Sequence, residues 1–347
     1  MAGTDKKTVV YLFIGPEEAG QRLDNYLIRH CKGVPKSHLY RILRSGEVRI
    51  NKKRVAADYR VQEGDRLRLP PMRVAAKEND GNRSCSGADP SANLPLLPVL
   101  YEDAALLVVD KPSGLAVHGG SGVSLGVIEL LRRQRPEAKF LELAHRLDRE
   151  TSGVLLIGKK RAALTRLHDM FRAANRETDK RYLILVKGRW LEPVRQVKLP
   201  LYKYLTAEGE RRVRVDAETG KPAHTVFRLL ARWHSVSLLE GQLKTGRTHQ
   251  LRVHLAHLGY PILGDDKYGD FALNKALRKE GLKRMALHAA RMECPHPLET
   301  QRLTLISPLP EALRHFLRHL DTIEGREYLA DNFSPPWTAP DEPGQPL

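Results

Sequence analysis

Three short stretches of this 347-residue chain gather side chains able to do chemistry. The first is AHRLDRETSG at 144–153, where Asp148 stands between Arg146 and Arg149, ahead of a Thr-Ser-Gly turn and the apolar run VLLIG. The second is KRY at 180–182, where Tyr182 opens a strand-like run, YLILV. The third is TGRTHQLRVH at 245–254, with Arg247, His249, Arg252 and His254. A carboxylate taken out of water stays ionised only beside a counter-charge, which a guanidinium supplies. One ionised carboxylate, one aromatic platform and one arginine suffice to attack a sugar carbon of a nucleotide swung out of its stack. Each residue also has a plain structural use. Asp148 fits a turn, Tyr182 a core strand, and Arg252 a solvated helix face.

Other chemistries lack their signatures. There is no Walker lysine motif, and HGGSG at 118–122 lacks the GxGxxG spacing of a dinucleotide loop. No GxSxG elbow is present for a serine hydrolase. His249, His254 and His257 invite a zinc reading, but no HExxH or carboxylate partner accompanies them, so no metal is expected. Cys31, Cys85 and Cys294 are odd in number and far apart, which suits a reducing cytoplasm rather than a disulfide framework.

The elements that must position these residues read as α+β. ALLVVD, VLLIG and KRYLILVKG are strands, and TVFRLLARWHSVSLLEGQL is a strand pair. SLGVIELLRRQR, RAALTRLHDMFRAA and THQLRVHLAHLG have helical spacing. This irregular alternation points to a mixed, largely antiparallel sheet flanked by helices, not a βαβ series. Ahead of it, QRLDNYLIRH and HLYRILRSG are two short helices, the second with Ser37 as its cap and Gly46 as its end. EVRINKKRV and RVQEGDRLRLP follow as strands. We expect an N-terminal extension at 1–18, a small α+β unit at 19–72, a flexible Gly/Pro-broken linker at 73–98 and a catalytic unit at 99–320. A tail at 321–347, with five prolines in its last fourteen residues, is expected to be disordered.

The formal charge of +17 favours a polyanionic partner, most naturally a nucleic acid. Residues 21–72 hold 13 Lys/Arg against 5 Asp/Glu, a net of +8 in about a seventh of the chain. Arg41, Arg44, Lys52, Lys53 and Arg54 form the densest part and are the expected RNA contacts. No apolar run reaches the length of a membrane span, so no membrane is expected as a partner. The first residues, MAGTDKKTVVYLFIG, lack the h-region and cleavage site of a signal peptide.

HRLDRETSGVLLIGKK resembles the signature of the RluA-type pseudouridine synthases. DKPSGLAVHGG, KRYLILVKG, GKPAHTVFRLL, TGRTHQLRVHLAHLGYPILGDDKYG and MALHAA are similar to further blocks of that family. GQRLDNYL and GVPKSHLYRILRSGEVRINKKR resemble the S4 RNA-binding domain fused to many of its members. The resemblance implies the pseudouridine synthase fold and isomerisation of specific uridines in large-subunit (23S) ribosomal RNA, without a cofactor, by a cytoplasmic monomer. It implies that Asp148 is the catalytic aspartate, attacking C1′ or taking the 2′ proton. Arg252 would be its ionic partner, and Tyr182 would stack on the target base. Arg146 and His145 would lie against the RNA at the flipped nucleotide, and Leu287 would wall the uracil pocket. Two rival readings are a non-catalytic ribosome-binding protein and a metal-dependent RNA hydrolase built on the clustered histidines.

Overall fold

The computed structural model describes residues 9–16, 18–31, 33–72, 96–119, 125–172 and 177–335. Two compact units divide the chain, residues 1–92 and 93–347.

The first unit runs β1 (Val10–Phe13), α1 (Leu23–His30), α2 (Lys36–Ser45), β2 (Arg49–Ile50), β3 (Lys53–Arg54) and β4 (Arg66–Leu69). Leu23, Tyr26 and Leu27 of α1 and Leu39, Ile42 and Leu43 of α2 are buried, as helical spacing requires. They share a core with Ile14, Val48, Ile50 and Leu67. Gly46 ends α2 in the left-handed conformation at φ 76. Ser37 does not cap α2. The helix starts at Lys36 after Pro35, whose φ of −58 already suits a helix start, and Ser37 falls inside the first turn. The sheet order is β1-β4-β2-β3, and β1 pairs antiparallel with β4 from Val10↔Leu69 to Phe13↔Arg66. This strand lies within the stretch read as an extension. Its four residues are too short an alternation to announce a strand.

The second unit continues with β5 (Val99–Glu102), β6 (Leu106–Lys111), α3 (Val127–Gln134), β7 (Glu142–Leu143), β8 (Ser152–Gly158), α4 (Arg161–Arg172), β9 (Asp179–Lys187) and β10 (Val194–Val197). Then come β11 (Leu201–Leu205), β12 (Arg211–Val215), β13 (Thr225–Arg232), β14 (Val236–Leu243), α5 (Gln250–His257) and α6 (Phe271–Lys279). The last elements are β15 (Leu287–Pro295), β16 (Arg302–Ile306), α7 (Glu311–Ile323) and β17 (Tyr328–Leu329). The main sheet is ordered β10-β13-β14-β9-β15-β8-β6-β5, and β11 and β12 form a separate hairpin. The described strands pair antiparallel except β8 and β15, so the α+β, largely antiparallel expectation holds. Leu107, Val109, Leu155 and Ile157 enter one apolar cluster, whereas their neighbours Leu106, Val108, Val154 and Leu156 enter another. With a side-chain period of two, both faces of the sheet centre are therefore covered.

The tail boundary also shifts. The helix α7 runs to Ile323, and β17 pairs with β13 at Ala231↔Leu329. Leu97, at the end of the expected linker, is buried in the core of the second unit. The rest of that linker, residues 73–95, and the proline-rich 336–347 lie outside the described residues. No described helix is long and apolar enough to cross a membrane.

Candidate active site

Asp148 sits in the turn between β7 and β8, which the Thr151 N–H closes onto the Asp148 carbonyl at 3.1 Å. The loop is pinned from behind by Lys111, whose ammonium group donates to the carbonyls of Pro112 (2.8 Å), Leu115 (2.7 Å) and Arg149 (3.0 Å). Burial pushes this lysine down to about 7, and in its protonated form the three carbonyls take all three of its protons. On the far side of the turn, Gly153 adopts φ 112, and a Cβ there would lie 2.2 Å from the Ala289 carbonyl oxygen. Only glycine allows that approach. It lets β8 pair parallel with β15 at Ser152↔His288 and Gly153↔Ala289, bringing the Asp148 turn beside Leu287.

Arg252 projects from α5 and is 3% exposed. Its Nε and Nη2 donate to the two carboxylate oxygens of Asp265 at 2.7 and 2.6 Å. Its Nη1 donates to Asp148 Oδ2 at 3.2 Å, and Nη2 also reaches Asp266 at 3.3 Å. Burial opposes the charge on Arg252, but the hydrogen bonds and charge of Asp265, followed by Asp148, outweigh it and raise its affinity for the proton. Asp265 shows the converse. Burial would raise it, and Arg252 together with the Lys267 and Tyr268 N–H groups brings it below the usual carboxylate range. Arg252 is therefore a bridge between two carboxylates, with its bidentate face on Asp265.

A second group approaches Asp148. His249 precedes α5 in the left-handed conformation at φ 53, uncommon for a residue with a Cβ. Its Nε2 is 3.7 Å from Asp148 Oδ2. The Tyr268 hydroxyl accepts the Val213 N–H at 3.0 Å and lies 2.8 Å from His249 Nδ1. The Tyr268 hydroxyl thus holds the imidazole by Nδ1 and turns Nε2 toward Asp148. Burial, the largest influence, holds His249 below its ordinary value and hence neutral.

Tyr182 lies on β9 between Gly241 of β14 and Ala289 of β15. A Cβ on Gly241 would meet Ile184 at 2.7 Å and Leu251 at 3.1 Å, so glycine there lets α5 close down on the sheet. Burial, reinforced by the charge on Asp148, raises Tyr182 well above the usual phenol range and keeps its hydroxyl protonated. Asp148, Tyr182, Arg252, Leu287, His145 and Arg146 all line one cavity of about 900 Å³. His145 accepts the Leu156 N–H at Nε2, 3.2 Å away, and burial pushes it down to about 3, so it faces the cavity as a neutral ring. Arg146 is exposed with no acidic partner among the described residues, and Lys244, Arg247 and Arg302 are likewise exposed along the cavity wall.

The three histidines considered for zinc do not form a ligand set. His254 is fully buried with Nδ1 on Thr225 and Nε2 on the Leu199 carbonyl, while His249 serves Tyr268 and faces Asp148. Arg41, Arg44, Lys52, Lys53 and Arg54 are exposed in the N-terminal unit. There Arg54 donates to the Arg44 carbonyl at 2.7 Å. Sequence reasoning missed Asp265 and Tyr268 as site residues and weighed His249 only as a metal ligand. The run GDDKYG was the one visible signal for the first two.

The family profile for RNA pseudouridylate synthase matches residues 105–257, and that for the S4 domain matches residues 21–67. The chain is 47% identical over 324 residues to ribosomal large subunit pseudouridine synthase C of Salmonella typhimurium, covering 91% of this chain and 98% of that protein. The same identity and coverage hold for the protein of that name from Escherichia coli K12. Among solved structures, the human protein RNA Pseudouridylate Synthase Domain Containing 1 is similar at a TM-score of 0.55 and 27% identity, over 68% of this chain and 91% of that one.

Proposed function

The chain belongs to the RNA pseudouridylate synthase family and carries an S4 domain, and from that premise we propose that it converts specific uridines of large-subunit ribosomal RNA to pseudouridine. It acts in the cytoplasm as a monomer, with residues 19–72 as the RNA-binding unit and 99–320 as the catalytic unit. The reaction is an isomerisation. The N1–C1′ bond breaks, the uracil turns within the cavity, C5 bonds to C1′, and the C5 proton is lost while N1 gains one. Atoms and electrons balance without a cofactor.

Asp148 acts on the ribose, as nucleophile at C1′ or as base at the 2′ position, and both roles need the ionised form. The observation that carries this assignment is the 3.2 Å contact from Arg252 Nη1 to Asp148 Oδ2, inside a cavity shared with Tyr182 and Leu287. Tyr182 stacks on the flipped base as a neutral ring, and Leu287 supplies the apolar wall. Arg146 and His145 meet the RNA at the vacated position. Arg41, Arg44, Lys52, Lys53 and Arg54 take phosphates, which supplies affinity without reading sequence.

Pseudouridine mapping of ribosomal RNA tests the reading. A strain lacking the gene should lose modification at particular large-subunit uridines. The wild-type gene should restore it, and an Asp148→Asn copy, checked by mass for deamidation, should not. A deletion strain that loses no large-subunit pseudouridine, or lost sites that return with Asp148→Asn, would overturn it.

A further inference from the structure

The four-stranded sheet of the N-terminal unit carries an unusual row. Across its strands, Arg54 pairs with Arg49, Arg49 with Arg68, and Arg68 with Tyr11. Residues directly opposite share a face, so three guanidiniums and a phenol stand side by side at strand spacings of about 4.8 Å. The next row on that face pairs Arg66 with Phe13. Like charges directly opposite one another destabilise a sheet, and among the described residues no carboxylate pairs with Arg49, Arg54, Arg66 or Arg68. Their partial relief comes from the end of α2, where Arg54, Arg49 and Arg68 donate to the carbonyls of Arg44 (2.7 Å), Gly46 (3.2 Å) and Glu47 (2.8 Å). Each of these hydrogen bonds uses one of a guanidinium's five donors, so most remain available.

Beside this row two aromatic rings face solvent. Phe13 is 72% exposed and Tyr11 48% exposed. The Arg66 guanidinium already lies over the Tyr11 ring, 4.1 Å from its centroid, whereas the Phe13 ring presents an open face. Aromatic faces next to arginine rows are the chemistry that holds unstacked bases and their phosphates. A duplex offers phosphates but no free base face.

We propose that this outer sheet face is a second RNA contact, in which an unpaired base stacks on Phe13 while Arg49 and Arg68 take neighbouring phosphates. The aromatic half is contributed by β1, which lies outside the residues matched to the S4 domain. A second copy of this chain is the rival occupant, since β1 is an edge strand. A like-charged face opposing its own arginine row disfavours it. The inference rests on the RNA-modifying reading but not on the Asp148 assignment, so its failure leaves the mapping experiment untouched.

The test uses the full-length protein with a labelled single-stranded oligouridine and a duplex RNA of equal length, titrated by anisotropy at several salt concentrations. Phe13→Ala should weaken single-strand binding by about fivefold or more, with duplex binding changed less than about twofold and an unchanged melting temperature. Phe13→Trp should bind at least as well as wild type. Arg49→Gln and Arg68→Gln should each lower the salt slope of log K by about 0.7. Unchanged affinity in Phe13→Ala, or equal losses on strand and duplex, overturns the proposal. So does a loss of self-association in Phe13→Ala by sedimentation with RNA binding intact, which would assign the face to a second copy.

Discussion

Replacing Arg252 by methionine should separate its structural role from its part in the chemistry. Methionine keeps much of the apolar stem and removes the guanidinium, which is buried and touches Asp265 at 2.6 and 2.7 Å and Asp148 at 3.2 Å. The larger structural loss falls on Asp265, which is fully buried, rather than on Asp148, whose side chain keeps 18% of its surface. Removing one partner of a buried pair costs about 3–5 kcal/mol. The N–H groups of Lys267 and Tyr268 still reach Asp265 Oδ1, which places this case near about 3 kcal/mol at neutral pH. In the wild type Asp265 titrates below an unfolded aspartate. Its contribution is therefore fully present above pH ~4 and is lost only as pH falls through the lower folded value. Without Arg252, burial governs Asp265 and lifts it above the unfolded value, so the variant loses stability as pH rises from ~4 toward that new value. Urea midpoints of wild type and Arg252→Met should thus diverge between about pH 5 and 7. Adding Asp265→Asn should close most of the gap and flatten its pH dependence, while pseudouridine formation stays low because Asp148 still lacks its partner. Parallel curves, or no rescue by Asp265→Asn, would refute the argument.

Tyr182→Phe should bind RNA within about twofold of wild type and lose roughly a hundredfold in turnover if its hydroxyl handles the C5 proton; full activity would leave it a stacking surface alone, and full activity in Tyr182→Leu would dismiss it. His249→Asn, which tolerates the left-handed backbone, should fold normally and turn over about tenfold more slowly. Because burial keeps His249 neutral, wild-type turnover should show no imidazole step near pH 6.5, and a step that vanishes in His249→Asn would contradict that assignment. Deleting residues 1–75 should leave a folded catalytic unit that binds ribosomal RNA more weakly, with a salt slope shallower by about 0.7–0.9 for every phosphate that the basic unit had neutralised; unchanged affinity and slope would show that the basic unit is not the anchor.

Elements whose pattern follows from their own sequence were legible in it. The helices α1 and α2 announce themselves by apolar spacing, and β6, β8 and β9 by continuous apolar runs that mark strands covered on both faces. The helix α5 was also read from its spacing, but the burial of its polar residues was not. Every residue from Gln250 to Leu255 is buried, Arg252 and His254 included, so no polar face distinguishes it. A buried arginine on a helix reads as a solvated one until its partner is known, and Asp265 lies in a separate turn 13 residues on. The hairpin of β11 and β12 was not predicted. Its exposed Tyr202, Lys203 and Leu205 follow no clean alternation, and it is held by contacts of Leu201 and Val213 with Ala223 and Val253.

The arrangement of charge within the cavity bears on how a nucleotide enters it. The side chains of the interior are nearly closed to water: Tyr182, Leu287 and Arg252 are each under 9% exposed. The guanidinium of Arg252 is shared between the carboxylates of Asp148 and Asp265, so this interior group carries a net negative charge. The cations Arg146, Lys244, Arg247 and Arg302 are all exposed and lie along the wall. A nucleotide is charged at its phosphate and neutral at its base. Asp179 and Glu293 also line the cavity, but each is paired with an arginine, Arg181 and Arg291, so the four exposed cations favour the phosphate at the rim and the base inward. Ala289 pairs with both Gly153 and Tyr182, so the backbone of Gly153, just past the turn that carries Asp148, stands two strand spacings, about 10 Å, from that of Tyr182 across β15. On the proposed reading, a uracil against Tyr182 and Leu287 would turn its ribose toward Asp148, which lines the same cavity. In the reaction proposed above, this separation would keep the Asp148 carboxylate away from the phosphate of the entering nucleotide.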